Sequence, residues 1–346
     1  MAKAGAEGAA VKVVHISWLK RSDGELGGVE KFAHYLQRAL FEAGHDCAII
    51  GWSDYPKHRT ARNMSNPDKA LVLGSWLESE MEFDVAVSDG YWGHGITQHP
   101  VLPVVHGTWA QFHLNMGGSP WANHEVRAQH DAFNAPNAFP VACSPASARE
   151  LVAHHRRQPV ATILHGVDLE AFRPHCPEEG NNITGERTDK ATCYPIVLHA
   201  ATNAKKGQEI MPAIARELGA AFSVEYLNAK AGEEPDAFRR GHIFLHPSRH
   251  EGNAYALLEA LASGLPVVTT NVGLFASIED GLVGRVLPVG STVSQWAAAV
   301  RDVWEVRWPE LSKAARACAE STADFQTFAA KWVALLGHVI MGALKE

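Results

Sequence analysis

Two glutamates stand eight positions apart in residues 250–264, which read His-Glu-Gly-Asn-Ala-Tyr-Ala-Leu-Leu-Glu-Ala-Leu-Ala-Ser-Gly. If a helix begins at Glu251, eight residues give about 800° of rotation, so the carboxylates of Glu251 and Glu259 fall on nearly the same face. The first N–H groups of a helix lack intrahelical partners, and the helix dipole favours an anion there. Carboxylates that bind hydroxyl groups, beside amides that bind phosphate, suit a nucleotide sugar. The alternative interpretation is an amphipathic helix with one exposed and one N-terminal glutamate.

Two other turns are suited to phosphate. Gly27 and Gly28 stand where a polar loop enters a predicted helix, and glycines there let the backbone approach a ligand closely. Lys205 and Lys206 lie between a strand and a helix, where a lysine can pair with a diphosphate as a point charge. The G-x-G-x-x-G dinucleotide fingerprint is absent from the sequence. Each turn alone is equally compatible with an ordinary helix entry or a solvated lysine pair.

His106 directly follows a predicted apolar strand, so we expect its side chain at the carboxyl end of that strand, facing a cleft. Asp89 follows the preceding strand and offers an acid. Aromatic side chains are dense in the same segment and are predicted to shape an acceptor pocket: Tyr91, Trp92, Trp109, Phe112 and Trp121. The alternatives are a histidine bonded to a carbonyl and ordinary aromatic residues of core and loops.

The composition favours a globular protein of two domains, with 346 residues of which 46% are hydrophobic and 20% charged. The formal charge of −7 disfavours nucleic acid and acidic lipid as partners, although it leaves a local basic groove open. The five cysteines are scattered without a C-x-x-C, which is typical of reduced thiols. No signal peptide or membrane-spanning segment is recognisable, and we expect a cytoplasmic protein.

The 19 histidines do not form a metal-binding pattern. A metal site favours a tight spacing such as His-x-x-x-His with a carboxylate nearby, whereas the histidines of residues 94–130 are loosely spaced. His154 and His155 are adjacent, so their side chains point in different directions. We therefore expect neither a metal ion nor a cofactor.

Apolar runs alternate with helical patterns along the chain, which predicts parallel sheets covered by helices on both faces. The predicted strands are residues 11–18, 47–52, 84–87, 101–106, 139–143, 161–164, 196–200, 222–227, 242–245, 266–270 and 285–287. The predicted helices are residues 29–43, 145–154, 207–218, 253–263 and most of 293–343. Residues 174–192 are rich in Pro, Gly, Asn and charge and are predicted to form a linker or surface loop. Ligands of such sheets bind beyond the carboxyl ends of the strands, which predicts a site in a cleft between two α/β domains.

These motifs occur in an order that resembles the GT4 family of GT-B glycosyltransferases: Gly-Gly-Val-Glu, Gly-His, Val-Val-His-Gly, Ser-Pro-x-Ser, His-Gly-Val-Asp, Lys-Gly and the Glu-x7-Glu motif followed by Gly-Leu-Pro-Val-Val. The resemblance implies two Rossmann-like domains with parallel sheets that face a central cleft. Residues 1–170 would form the acceptor-side domain, with a C-terminal helix of about 324–346 packing back on it. Residues 171–323 would form the donor domain.

The resemblance also implies a retaining, metal-independent transferase that uses a UDP- or GDP-activated sugar. Glu251 would contact the sugar hydroxyls, Glu259 would hold the ribose, and Lys206 would neutralise the leaving diphosphate. The implied catalytic positions are His106, Lys206 and Glu251. The implied donor-binding positions are Gly27, Gly28, Lys205, Gly252, Asn253, Ala254, Tyr255 and Glu259. The acceptor-side positions Asp89, Tyr91, Trp92 and Trp109 rest on the aromatic segment alone.

The chain departs from the family pattern in two places. Ala201 stands where the family usually has an Arg five residues before the Lys, so a bidentate phosphate contact is lost unless Lys205 or Arg249 replaces it. Residues 222–241 are short, and base recognition commonly lies in this stretch. The missing Arg keeps open a nucleotide-sugar-binding pseudoenzyme or scaffold. The acceptor stays open among sugars, lipid-linked sugars, natural products, proteins and modified DNA bases, and the sequence does not indicate an oligomeric state.

Overall fold

The computed structural model describes residues 10–18, 27–119, 123–174, 195–230 and 232–342, which form two parallel sheets with helices. The linker predicted at 174–192 lies outside the described residues except for its first. The strands are β1 Lys12–Ile16, β2 Asp46–Ile50, β3 Val85–Asp89, β4 Val101–Val105, β5 Val141–Ala142, β6 Ala161–Thr162, β7 Ile196–His199, β8 Ser223–Tyr226, β9 Ile243–His246, β10 Val267–Thr270 and β11 Gly284–Leu287. Each predicted strand is present, with ends that differ by at most two residues.

The helices cover both sheets. They are α1 Gly28–Glu42, α2 Asn66–Glu80, α3 Trp109–Asn115, α4 His124–Asn134, α5 Pro145–His155, α6 Met211–Leu218, α7 Glu234–Arg239, α8 Tyr255–Ala262, α9 Val293–Asp302, α10 Trp308–Thr322 and α11 Phe325–Ile340. None of the helices in the described ranges is long and apolar enough to cross a membrane.

Strand order confirms two parallel α/β sheets. The first sheet runs β2-β1-β3-β4-β5-β6 and the second runs β11-β10-β9-β7-β8, and every pair of neighbours is parallel. Apolar strands buried on both faces need helices on both sides, which explains the regular alternation along the chain. The carboxyl ends of these strands carry most of the residues described below.

The C-terminal helix α11 packs on the first sheet's domain, as the resemblance implies. Its Phe328 and Trp332 rings lie 6.0 and 5.7 Å from the ring of Phe32 in α1. Gly166 makes this approach possible, because a Cβ at that position would lie 2.7 Å from Phe328 Cβ. The last helix therefore ties the chain end back to the domain in which the chain begins.

Helix α8 starts later than the sequence indicates. The carboxylates of Glu251 and Glu259 would share a face only in a helix that begins at Glu251. Helix α8 begins at Tyr255, and residues 251–254 form the loop before it. The prediction that Glu251 and Glu259 share one helical face is therefore wrong. The start of α6 at Met211, with Pro212 in its first turn, matches the delayed start that this proline predicts.

Several helices carry no clear signal in the sequence. We did not predict α2, α3, α4 or α7, although Ser65 and Asn123 cap α2 and α4 in the usual way. The short stretch 222–241 contains both a strand, β8, and a helix, α7, which has only six residues. By contrast, α5 begins where its predicted cap places it, since Ser144 Oγ accepts a hydrogen bond from Ser147 N.

Candidate active site

A cavity of about 500 Å³ lies at the carboxyl ends of the two sheets and is lined by both domains. It brings together all of the residues predicted to be catalytic or donor-binding: Gly27, Gly28, His106, Lys205, Lys206, Gly252, Asn253, Ala254, Tyr255, Glu251 and Glu259. These residues come from loops after β1, β4, β7 and β9 and from α8. The strand ends thus place distant parts of the sequence around one space, as parallel sheets commonly do.

The Glu251 carboxylate has two cationic or polar side-chain partners at the cavity. Its Oε1 accepts hydrogen bonds from Lys206 Nζ and, at 3.0 Å, from His246 Nε2. Burial alone would raise the pKa of Glu251, but Lys206 and His246 hold it well below its usual range. Glu251 is therefore a carboxylate at neutral pH that faces a cation able to move towards a more negative ligand.

Lys205 supplies a second cation where the family Arg is missing. It lines the cavity, and burial is the main reason that its pKa is lowered. Ala201 is buried in the core of the second domain and lines no part of the cavity. Arg249 is also absent from the lining, because its guanidinium donates to Glu209 Oε1 at 2.6 Å on the surface. Of the two substitutes that the sequence suggests, only Lys205 lies at the cavity.

The loop before α8 lies tightly against the first domain. A Cβ on Gly252 would lie 2.4 Å from His106 O and 2.9 Å from Cys143 Sγ, so only glycine fits there without a shift. The loop leads into α8, whose first N–H groups lack intrahelical partners. Within the described part of the chain, the buried side-chain amide of Asn253 has no hydrogen-bond partner. The loop thus offers polar groups to a ligand in the cavity.

Lys31 joins the two domains across the cavity. Its Nζ lies 2.5 Å from Glu259 Oε1 and 3.7 Å from Glu234 Oε1, and all three side chains are mostly buried. Lys31 was not among the predicted site residues, although it lies one turn after Gly28 at the start of α1. The contact places a cation from the first domain on the carboxylate that the resemblance assigns to the ribose.

Asp89 lies behind His106 rather than in the cavity lining. Its Oδ1 lies 2.9 Å from His106 Nε2 and 3.3 Å from Nε2 of His15, a residue that the sequence analysis did not single out. Burial alone would raise the pKa of Asp89, but the two histidines lower it below its usual range. The acid predicted on the acceptor side is thus bonded to the histidine predicted to be catalytic.

The aromatic residues predicted for the acceptor pocket do not line this cavity. Tyr91 and Trp92 are buried in a core cluster of the first domain, and Trp92 packs against Trp18. Trp109 is 37% exposed and packs on Phe112 and His113. Trp121 lies outside the described residues. Burial favours the core interpretation for Tyr91 and Trp92, whereas Trp109 is exposed and Phe112 is partly buried.

Three residues beside the cavity have side chains of metal-binding type. Atoms of His106, Cys143 and His165 that could bind a metal lie within 4.8 Å of one another. However, burial raises the pKa of the Cys143 thiol to about 12, which disfavours the thiolate that metals bind. The His165 ring stacks on Tyr255, with ring centroids 4.6 Å apart. This cluster therefore serves better as packing than as a metal site.

Two family models match consecutive parts of the chain. The model described as Glycosyltransferase Family 4 matches residues 26–171, and that described as Glycosyl transferases group 1 matches residues 192–305. Together the two matches include every described strand except β1, and every residue that lines the cavity. The chain belongs to the GT4 glycosyltransferases. This GT4 protein also carries the family's Glu-x7-Glu motif at the cavity, where the family resemblance had placed it.

Curated relatives of this GT4 protein include two D-inositol 3-phosphate glycosyltransferases. That of Paenarthrobacter aurescens is 29% identical over 201 residues, covering 48% of this chain and 48% of the relative. That of Mycobacterium marinum is 29% identical over 183 residues, covering 44% of this chain and 39% of the relative. The chain thus spans about half the length or less of these curated relatives.

Solved structures similar to this GT4 protein share its fold. Sucrose-phosphate synthase from Thermosynechococcus elongatus has a TM-score of 0.76 at 13% identity, covering 96% of this chain and all of that chain. HepE from Anabaena, in complex with UDP and glucose, has a TM-score of 0.68 at 15% identity, covering 94% of this chain and 99% of that one. At such identities the likeness establishes the GT-B fold alone.

Proposed function

We propose that this protein transfers a sugar from a nucleoside diphosphate sugar to an acceptor hydroxyl, with retention at the anomeric carbon and without a metal ion. One observation carries the proposal. Three lysines, three carboxylates and the polar loop 252–254 meet in a single cavity between the domains. A nucleotide sugar presents the matching groups, namely a diphosphate, a ribose and sugar hydroxyls.

Each group of the donor has a counterpart in the cavity. Lys206 and Lys205 face the diphosphate, Glu251 accepts hydrogen bonds from the sugar hydroxyls, and Glu259 accepts them from the ribose. Donor binding moves Lys206 from Glu251 towards the phosphate, since two negative phosphates attract it more strongly than one carboxylate. UDP-glucose is the first donor to test, because the HepE structure of the same fold holds it; GDP-sugars follow.

The chemistry needs charge stabilisation rather than an enzymic nucleophile. As the bond between the sugar C1 and the phosphate oxygen breaks, positive charge grows on the sugar and negative charge on the diphosphate. Lysines already aimed at that diphosphate stabilise the transition state more than the ground state. The acceptor oxygen attacks C1 from the same face and passes its proton to the leaving phosphate oxygen, which retains the configuration.

A rival proposal is a protein that binds nucleotide sugars without turnover. The observation in its favour is the buried Ala201, which cannot make the bidentate phosphate contact of an Arg. Lys205 weakens this rival, since it brings a cation to the same cavity. A lysine is a point charge without the planar fork of an arginine, so we expect a lower rate rather than none.

The acceptor is the least defined part of the proposal. The curated relatives are named for D-inositol 3-phosphate, so inositol phosphates are the first acceptors to assay. We expect exposed Trp109 to affect the choice of acceptor and buried Trp92 to affect mainly stability. The free thiols of Cys47, Cys143 and Cys318 support a reaction in the reducing cytoplasm.

The test begins with a thermal-shift screen of nucleotide sugars, because a bound donor raises the melting temperature. Release of UDP or GDP is then followed with an acceptor panel, and NMR of the product determines its anomeric configuration. We expect turnover in the wild type and its loss in Glu251→Ala and Lys206→Ala, but not in Lys12→Ala, an exposed lysine outside the cavity. Donor binding without release on any acceptor would favour the rival, and an inverted product would contradict retention.

A further inference from the structure

We propose that Asp89, itself held by His15, is a positioning residue that keeps a proton on Nε2 of His106 and turns Nδ1 of that ring towards the donor sugar. The inference rests on the proposed transfer reaction and adds a device for orienting one of its side chains. It changes the role expected for Asp89, which the sequence placed on the acceptor side. It also gives a function to His15, the one polar residue among the four buried residues of β1.

Sheet register brings the three side chains together. In the parallel pairing of β1 with β3, His15 lies opposite Val87, and in that of β3 with β4, Asp89 lies opposite Val104. Side chains alternate between faces along a strand, so Asp89 shares a face with Val87 and therefore with His15. His106 follows β4 directly, and its Nε2 meets Asp89 Oδ1 on that face. The ring of Phe32 in α1 contacts both histidines on that face.

Hydrogen bonding determines which ring nitrogen carries the proton. An ionised carboxylate only accepts hydrogen bonds, so the 2.9 Å contact with Asp89 Oδ1 requires a proton on His106 Nε2. Asp89 is ionised because the charges and hydrogen bonds of the two histidines outweigh the cost of its burial. Nδ1 is therefore the ring nitrogen of His106 that is not bonded to Asp89. His106 lines the cavity, and Nδ1 is the nitrogen that Asp89 leaves available to a sugar hydroxyl.

His15 fixes the carboxylate from the other side. Its side chain is fully buried, and its Nε2 lies 3.3 Å from the same Oδ1 that His106 uses. Two donors on one oxygen restrict rotation of the Asp89 carboxyl group, which in turn restricts the His106 ring. Partners behind a functional histidine commonly set its tautomer and orientation in this way.

The decisive variant is Asp89→Asn, which preserves the shape of the side chain but can donate to His106 Nε2 and so permit the other tautomer. The tautomer is measured by ¹⁵N–¹H correlation of the histidine rings, with the His106 signals identified by their loss in His106→Gln. We expect a single form with the proton on Nε2 in the wild type and a mixture in Asp89→Asn. We also expect kcat to fall by about 10- to 100-fold, with the donor KM within about threefold.

Variants of His15 separate positioning from folding. His15→Gln retains an N–H donor near the position of Nε2, so its kcat is expected within about threefold of the wild-type value. His15→Phe removes the donor and should lower kcat. His155→Gln is the matched control, since His155 is also a buried histidine of the first domain but lies outside the cavity. Its kcat should be unchanged.

An unchanged tautomer in Asp89→Asn would overturn the inference, and so would an unchanged kcat. Equal losses in His15→Gln and His15→Phe would show that His15 acts only in packing. If the wild-type protein binds a donor but does not turn it over, the transfer proposal fails. The ring NMR then still decides whether Asp89 sets the tautomer, because that measurement requires no reaction.

Discussion

Replacing Lys206 with methionine tests the proposed phosphate contact most directly. Methionine keeps much of the side-chain volume but removes the charge. A preorganised donor aimed at developing negative charge is worth about 2.7–4 kcal/mol, or about 10²–10³ in kcat. Before the donor binds, Lys206 already bonds to Glu251, and this interaction must be given up. We therefore expect an effect at the lower end of this range, namely a fall in kcat of about 100-fold.

The same change removes a partner from a buried carboxylate. Breaking a fully buried ion pair costs about 3–5 kcal/mol. The Lys206 side chain is 25% exposed, and His246 still donates to Glu251 at 3.0 Å, so we expect a loss near 2 kcal/mol, about half of that figure. Urea unfolding measures the loss of stability, and initial rates of nucleotide release at saturating donor measure kcat.

Lys205→Met is the matched comparison, because Lys205 lines the same cavity but does not bond to Glu251 at short range. It should lower kcat with a smaller effect on unfolding. Wild-type turnover in both Lys206→Met and Lys205→Met would refute the reasoning, since no other lysine or arginine of the lining except Lys31 could then face the diphosphate among the residues that the structure describes. A large loss of stability without loss of turnover would show that Lys206 serves folding alone.

Three further outcomes are expected. Although burial raises the pKa of Glu78, hydrogen bonds from residues 97–99 lower it to about 2. The contribution of Glu78 to the free energy of unfolding is therefore present above pH about 4.3 and is lost as the pH falls towards 2. Glu78→Gln should cost about 1–2 kcal/mol at pH 7 after solvent screening, and the difference should narrow at pH 3; a constant difference in urea midpoints would contradict this. Gly252→Ala should lower both activity and melting temperature because its Cβ meets His106 O, whereas Gly337→Ala, with open space around it in a helix, should stabilise by about 0.5–1 kcal/mol. EDTA should leave the initial rate unchanged, and a loss that Mg²⁺ or Mn²⁺ restores would contradict metal independence.

Periodicity and turn chemistry predicted most of the fold. Apolar runs identified every strand within the described residues, because their short length and the Gly, Pro and polar residues that flank them distinguish strands from helices. The predicted donor-site residues met in one cavity for a related reason. Apart from Glu259, which lies one turn into α8, they all follow strands or begin helices, and parallel strands bring their carboxyl ends to a common edge.

Contacts across the sheet could not be predicted in the same way. The link between His15, Asp89 and His106 depends on the order β1-β3-β4, which is a property of tertiary structure. Lys31 resembled any lysine on an exposed helical turn until the second domain brought Glu259 against it. The start of α8 was misplaced because residues 251–254 are compatible with a helix by sequence, while packing against His106 holds them in a loop.

The contact of Lys31 with Glu259 has a consequence for binding strength. The two domains are joined across the cavity before any ligand enters. For a molecule that displaces the Lys31 ammonium group from Glu259, the apparent dissociation constant is the intrinsic one divided by the fraction of molecules in which that carboxylate is free. If one molecule in about a hundred has it free, affinity falls about a hundredfold with no change in the ligand's own contacts. Lys31 thus competes with such a ligand for the Glu259 carboxylate and raises the ligand concentration at which the cavity fills.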